Sequence, residues 1–106
     1  MISRPCPDST TFFEFQVVAA GGTPARWISD RALAVHPLAS IRNPANLVQF
    51  VVDTAGIPVA RTFHPVKVTD ADLVAEARES LAQWRFIPAV RDGCNVRQLV
   101  QTPIGR

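Results

Sequence analysis

The feature that most constrains the fold lies in the last third of the chain, where a helical pattern leads directly into a β-hairpin. Residues 84–86 alternate apolar and charged side chains, as a half-buried strand does, and Pro88 ends this strand. Asp92-Gly93 is a dipeptide that adopts positive φ at both positions, which a two-residue hairpin turn requires. Residues 96–102 then have the β-branched and apolar side chains of a returning strand, which Pro103 ends.

A helix over residues 70–84 is predicted ahead of this hairpin. Thr69 or Asp70 caps its start, and Asp72 lies in the first turn, near the positive end of the helix dipole. Apolar side chains recur at helical spacing and fall within an arc of about a third of the cylinder. These side chains are Leu73, Val74, Ala77, Leu81 and Trp84. The stripe places Trp84 in the core in preference to an exposed binding site.

Two strands joined by a turn are predicted before the helix. Residues 46–53 alternate along the chain, and their more apolar face is assigned to the core. That face consists of Val48, Phe50 and Val52. The second face is only partly polar, so we expect the N-terminal strand or another subunit to cover it. Gly56 supplies the turn, and a second strand follows over residues 60–68, which Pro65 restricts to an edge or an irregular end. An alternation over residues 12–18 predicts a further half-buried strand.

These elements predict an α+β fold, a small antiparallel sheet with one main amphipathic helix, about 70–84, packed on one face. A chain of 106 residues is long enough for one core, so we expect an irregular lead-in over residues 1–11 and a single domain over residues 12–106. The composition, 47% hydrophobic and 19% charged, argues against disorder. No stretch approaches the ~20 apolar residues of a membrane-spanning helix.

Charge and histidine content argue against several functions. The formal net charge of +2 is small and the arginines are scattered, which argues against nucleic-acid binding. His36 and His64 lack a recognisable nucleophile or triad context. Together with Cys6 and Cys94 they lack the close pairs of zinc motifs, so we expect no metal, no cofactor and no enzyme. A small hydrolase or transferase using His36 or His64 is the alternative, and it requires a pocket with one histidine and a carboxylate.

The two cysteines, Cys6 and Cys94, form an even number that permits one disulfide in an oxidising compartment. A bridge would close a loop of almost the whole chain and stabilise the fold by about 4–5 kcal/mol at most in the chain-entropy model. Cys94 is expected at an exposed position in the hairpin turn, and Cys6 lies between two prolines. The residues leave open whether the two cysteines form a bridge or remain unrelated thiols.

Two blocks of the sequence resemble the C-terminal domains of TonB proteins, the periplasmic ends of Gram-negative energy transducers. The first block, over residues 48–53 and Gly56, is similar to that family's first hairpin. The second block resembles its closing signature and consists of Trp84, Arg85, Phe86, Pro88-Ala89, Asp92-Gly93, Val96 and Pro103-Ile104. The resemblance is strongest over residues 46–104, and His36-Pro37 stands where the family usually has a Tyr-Pro pair.

The resemblance implies a periplasmic protein-binding module that couples inner-membrane energy to outer-membrane transport. Such a module docks an extended motif from the plug of an outer-membrane receptor by adding it as a strand to the sheet. The edge strand that the resemblance assigns to docking consists of Val96, Arg97, Gln98, Leu99, Val100 and Gln101. Among them Arg97, Gln98 and Gln101 are expected to tune specificity, and His36 and Pro37 are candidate receptor contacts. Inner-membrane motor proteins are expected to be reached only through a membrane anchor, which the sequence as written lacks.

Two alternatives to an open docking edge remain at this point. In the first, the strand over residues 96–101 is internal and paired on both sides, in part by the segment around Phe12. In the second, the same edge or the second face of the strand over residues 46–53 builds a homodimer, and the chain is a self-associating structural domain of the envelope.

Overall fold

The computed structural model describes residues 5–7, 9–28, 33–38 and 41–106 and has an α+β fold with one main helix. Short 3-10 turns at Ala60–Thr62 and Leu81–Gln83 accompany the regular elements. In chain order these elements are β1 (Thr11–Phe13), α1 (Glu14–Ala19), β2 (Arg26–Trp27), β3 (His36–Pro37), β4 (Leu47–Val52), β5 (His64–Lys67), α2 (Ala71–Ser80), β6 (Phe86–Ile87), β7 (Ala89–Arg91) and β8 (Cys94–Gly105). No helix among the described residues is long and apolar enough to cross a membrane.

The last strand, β8, pairs with four other strands of the described residues. The strand order is β1-β8-β4-β5, and β3 and β7 pair with the two ends of β8. β2 and β6 form a separate antiparallel pair. Because β1 runs parallel to β8, the sheet is mixed, and the prediction of a wholly antiparallel sheet is corrected in this one pairing.

The core lies between α2 and the inward face of β4. The predicted helical stripe is confirmed, since all five of its side chains are buried, and Trp84 is 0% exposed. The Nε1–H of Trp84 donates to the carbonyl of Val35 at 3.1 Å, which satisfies the polar atom of this buried ring. The strand side chains that pack in the same cluster are Val48, Phe50 and Val52.

Two side-chain acceptors fix the start of α2. Asp70 is the N-cap, as predicted, and its carboxylate accepts from the N–H of Leu73 at 3.1 Å. The side-chain oxygen of the buried Asn46 accepts from the N–H groups of Thr69 and Asp70. The start of the helix is therefore tied to the residue that immediately precedes β4.

The predicted hairpin turn is confirmed, with positive φ at both Asp92 (52°) and Gly93 (76°). The strand predicted over residues 84–86 is not part of this hairpin, because β6 pairs with β2 and the turn joins β8 to β7, which begins after Pro88. The strand that follows is longer than predicted, because Pro103 does not end it and β8 continues to Gly105. The carbonyl of Pro103 accepts from the N–H of Leu38 at 2.9 Å, on the side away from β4. The ring nitrogen therefore faces away from β4 as well, and no bond of that ladder is lost.

Two other predicted strands are wrong in extent. Residues 12–18 form a strand only to Phe13, because the side chain of Gln16 accepts from the N–H of Phe13 and caps α1. Gly21, with φ of 78°, follows soon after this helix ends. The strand predicted over residues 60–68 begins only at His64, after a 3-10 turn, and β5 is indeed an edge.

The C-terminal residue contacts the main helix. Arg106 forms ion pairs with Glu76 at 3.0 Å and with Asp70 at 3.6 Å. The hydrogen bond to Glu76 raises the pKa of Arg106 above its usual value. All three side chains are about half exposed, so we expect these contacts to add little to stability.

Candidate peptide-docking edge

β8 is an internal strand with a neighbour on each side over part of its length. β4 pairs antiparallel with residues 98–103, and β1 pairs in parallel with Arg97, Gln98 and Leu99 on the opposite side. The prediction of an open edge over residues 96–101 is therefore wrong for these three residues. A strand has the same hydrogen-bonding groups on both sides, so its sequence does not reveal how many neighbours it has.

The other three residues of the predicted edge, Val96, Val100 and Gln101, differ in which strands they pair with. Val96 pairs with Ala89 in the hairpin of β7 and β8. Val100 and Gln101 pair with β4 on one side, and no described strand pairs with them on the other. We call the side of β8 that faces away from β4 the outer side.

The register identifies which backbone groups of β8 face the outer side. Val51 of β4 accepts a hydrogen bond on its side away from β8, so Val51 and the opposite Leu99 form a non-hydrogen-bonded pair. Leu99 therefore directs its N–H and C=O towards β1. The carbonyl of Pro103 faces the same side, since it accepts from Leu38. By the same alternation, the backbone groups of Gln101 also face outwards.

β1 occupies the outer side through a short ladder of three residue pairs, whereas β4 forms six pairs on the inner side. Thr11 and Phe13 are exposed, and only Phe12 is half-buried. The guanidinium of Arg91 lies 4.6 Å from the ring centroid of Phe12, a cation–π contact. Phe12 also packs against a small cluster separate from the main core, formed by Val17, Ala89 and Val96.

The free edge of β1 is closed by its own chain. The N–H of Phe13, which faces away from β8, donates to the side chain of Gln16 at 2.8 Å. The chain then turns into α1 at Glu14. A further strand can add to β1 only if this helix cap breaks.

Two exposed phenylalanines lie beside the outer side of β8. Phe13 is 52% exposed and Phe15 is 69% exposed, and their rings stack with centroids 5.7 Å apart. They border a groove of about 430 Å³ that also includes Leu99, Val100 and Gln101. Exposed aromatic side chains next to backbone groups of a strand are typical of an interface.

The three side chains predicted to tune specificity have different surroundings. Gln98 is 2% exposed, and its side-chain oxygen accepts from the N–H of Ala25 at 2.9 Å, so it is a core residue and not a specificity residue. Arg97 is half-buried, and its Nε atom has no hydrogen-bond partner among the described residues. Gln101 is exposed and borders the groove.

A disulfide joins Cys6 to Cys94, which resolves the question that the sequence left open. Cys94 is the first residue of β8, and Cys6 precedes β1 by five residues. The bridge therefore ties the N-terminal end of β1 to the strand with which it pairs. Cys6 is exposed and Cys94 is half-buried, and both border a second groove that also includes Arg91 and Asp92.

The candidate receptor contacts lie at the far end of β8. His36 and Pro37 form β3, which pairs antiparallel with Gly105 and Ile104. Pro37 is buried, and His36 is half-buried with its Nδ1 atom 2.8 Å from the carbonyl of Pro37. β3 lies on the outer side, as β1 does, but about five residues further along β8, or roughly 17 Å.

The two histidines do not share a pocket. His64 is in β5 and His36 is in β3, and the strands β4 and β8 lie between them. Three strand spacings of about 4.8 Å therefore separate the two rows. Neither groove described above is lined by a histidine, and no group of three metal-ligating side chains occurs in the described part of the chain.

The residues that sequence reasoning missed are those of β1 and α1. A helix over Glu14–Ala19 has signals in the sequence, with Glu14 in the first turn, Gln16 at the third helical position and Gly21 just after the end. The stronger alternation of the phenylalanines hides them. The pairing of β1 with β8 has no local signal, because the partners are 86 positions apart in the sequence.

No family model, curated protein or solved structure matches the chain.

Proposed function

We propose that this chain is a periplasmic protein-binding module of the TonB C-terminal type. It docks an extended peptide of an outer-membrane receptor by strand addition on the outer side of β8, and so couples inner-membrane energy to outer-membrane transport. The observation that carries the proposal is β1, an extended segment that already pairs on that side in regular register. A disulfide is typical of an oxidising compartment, which supports the periplasmic location.

Docking requires that β1 leave the outer side of β8. β1 contributes three residue pairs, and each backbone hydrogen bond adds a net ~0.5–1.5 kcal/mol. The six pairs between β8 and β4 lie on the inner side and remain intact during the exchange. An incoming peptide can pair with Arg97, Leu99 and Gln101, whose backbone groups face outwards, and thus replaces the bonds that β1 gives up.

The other edges of the sheet support docking less well. β5 is the edge at the opposite end, where Pro65 lacks an N–H donor and Lys67 is exposed. Both features are typical of edges that resist strand addition. The outer edge of β1 is closed by the cap of α1.

A second candidate function is self-association of a structural envelope domain. The observation that favours it is the exposure of three large apolar side chains on one short segment, namely Phe13, Phe15 and Val18. Such a patch fits a second copy that packs against these side chains or exchanges β1. The solution mass at low micromolar concentration distinguishes the two candidates, because an obligate dimer favours self-association.

A backbone methylation scan of the ligand tests the proposed function with the protein unchanged. Synthetic peptides from receptor plug segments, and a reference peptide of residues 9–15, are titrated against the full chain by fluorescence anisotropy. Each amide of a bound peptide is then N-methylated in turn, which removes one donor. Strand addition predicts a period of two, with about a tenfold loss of affinity at alternate amides and little change between them.

For the reference peptide, the register identifies the sensitive position. Phe12 bonds to β8 from its N–H and C=O, whereas the N–H of Phe13 points away. Methylation at Phe12 should therefore weaken binding and methylation at Phe13 should not. An aperiodic loss, or no binding of any receptor peptide to the chain with its disulfide either intact or reduced, contradicts the proposal.

A further inference from the structure

The segment that occupies the outer side of β8 is held at both of its ends. On the N-terminal side, four residues connect the Cys6–Cys94 bridge to Thr11. On the C-terminal side, α1 follows directly and buries Val17 completely. A short tether of this kind gives β1 a high effective concentration at β8, of millimolar order for flexible linkers.

We propose that β1 is a built-in competitor for the docking site and that the Cys6–Cys94 bridge holds it in place until a dithiol reductant opens the bridge. This inference rests on the proposed function and adds its regulation. With the bridge intact, β1 cannot peel from its N-terminal end. Once the bridge is reduced, β1 is tethered only through α1, and an external peptide can replace it on the outward-facing groups of Arg97 and Leu99.

The redox step is an ordinary thiol–disulfide exchange. One thiolate of the reductant attacks a sulfur of the bridge, the S–S bond breaks, and a mixed disulfide forms. The second thiol of the reductant then resolves it, so the protein gains two electrons and two protons as two thiols, and the reductant becomes a disulfide. Cys6 is exposed and borders a groove at the surface, so a dithiol can reach the bridge.

The surroundings of β1 also indicate which peptides compete with it. Phe12 is the one half-buried side chain of β1, and it fills a site formed by the small apolar cluster and the guanidinium of Arg91. Its neighbours in the strand are exposed. The favoured ligand is therefore an extended segment that runs parallel to β8 with an aromatic residue at this position.

The experiment compares the full chain in its oxidised form and after treatment with dithiothreitol. The probe is a fluorescein-labelled peptide of residues 9–15, STTFFEF, titrated by anisotropy. The apparent Kd equals the intrinsic Kd divided by the fraction of molecules in which β1 has left the outer side. We expect the reduced chain to bind at least tenfold more tightly than the oxidised chain.

Matched variants separate the bridge from other effects of reduction. The full chain with Cys6→Ser should bind with the reduced-state affinity under both conditions. The variant Phe12→Ala weakens the competitor and should increase binding to the oxidised chain several-fold, whereas Val18→Ala, which changes an exposed side chain outside the groove, should not. In the peptide, Phe12→Ala should abolish binding and Phe13→Ala should have little effect.

Each outcome bears on one proposal in particular. Equal affinity of the oxidised and reduced chains for the peptide overturns the competitor proposal, and the proposed function stands if the methylation period is retained. A reduced chain whose circular dichroism shows unfolding also overturns it, since the proposal requires a folded reduced form. If no peptide binds to either form, the proposed function fails, and the competitor proposal fails with it.

Discussion

The two sides of β8 differ in almost every property that determines how firmly a neighbouring strand is held. On the inner side, β4 forms six antiparallel pairs, and Phe50 and Val52 are buried against Trp84 and the rest of the core. On the outer side, β1 forms three parallel pairs with one half-buried side chain. The comparison shows that one strand can be a permanent part of the core on one side and an exchangeable surface on the other.

The inner pairing of β8 is more stable than the outer pairing chiefly because it buries more apolar side chains, and the backbone hydrogen bonds contribute less to the difference. Backbone bonds have a similar net value on both sides, about 1 kcal/mol each. Burying a large apolar side chain adds about 1.5–3 kcal/mol, and the inner side has several such side chains where the outer side has only Phe12. The Cys6–Cys94 disulfide also ties the segment before β1 to β8.

The largest expected effect comes from the core beneath the inner side. Trp84→Ala removes a fully buried ring that packs against Phe50 at 5.7 Å, and we expect a loss of about 3–5 kcal/mol in the free energy of unfolding. Urea unfolding followed by circular dichroism measures this loss. The exposed Ile87→Ala serves as the control and should change stability by less than about 0.5 kcal/mol. Similar losses for both variants would contradict the described core.

Proline substitutions on β8 test the two sides directly. Val100 faces β4 with its backbone groups, so Val100→Pro breaks the inner ladder and leaves a buried acceptor on Phe50 unpaired. We expect a loss of roughly 3 kcal/mol, a sum of the lost bond and the unpaired group. Leu99→Pro removes only the donor to β1 and should cost about 1 kcal/mol. Urea unfolding ranks the two, and the reverse order would show that the sides have been assigned wrongly.

Alanine substitutions of two glutamines on β8 compare the stability effect of a buried side chain with that of an exposed one. Gln98→Ala removes a buried side chain and leaves the N–H of the half-buried Ala25 without its acceptor, and we expect a cost of about 1–3 kcal/mol. Gln101→Ala changes an exposed side chain and should be close to neutral. Thermal unfolding of both variants measures the difference, and equal stabilities would count against the buried role of Gln98.

The smallest effect on stability is expected at the exposed aromatic pair. The double variant Phe13→Ala and Phe15→Ala should change the free energy of unfolding by less than about 0.5 kcal/mol, because both rings are mostly exposed. Its solution mass, compared with that of the unchanged chain by sedimentation, tests the second candidate function. A dimer that dissociates in the variant supports self-association through this patch. A monomer in both cases removes that support.

Local patterns predicted a large part of the fold. The apolar stripe over residues 73–84, the cap at Asp70 and the turn at Asp92-Gly93 each depend on residues that lie close together along the chain. Because their causes are local, all three features were predicted correctly from the sequence. The candidate site was predicted less well, because docking depends on which side of β8 is free, and the position of β1 is a long-range pairing.

Competing local signals caused the error at the N-terminus. The alternation of Phe13 and Phe15 indicates a strand, but the hydrogen bond from Phe13 to Gln16 and the burial of Val17 favour a helix from Glu14 onward. Similarly, the sequence predicts that Pro103 ends the strand. It is tolerated in β8 because its nitrogen faces away from β4.

The amino-acid sequence by itself determined the elements whose causes are local, namely the main helix, the hairpin turn and the apolar face of β4. Only the tertiary structure decided that β1 flanks β8, that Gln98 is buried and that Cys6 meets Cys94. The physical reason is that a strand offers equivalent hydrogen-bonding groups on both sides. Which distant segment fills each side depends on the packing of the whole chain.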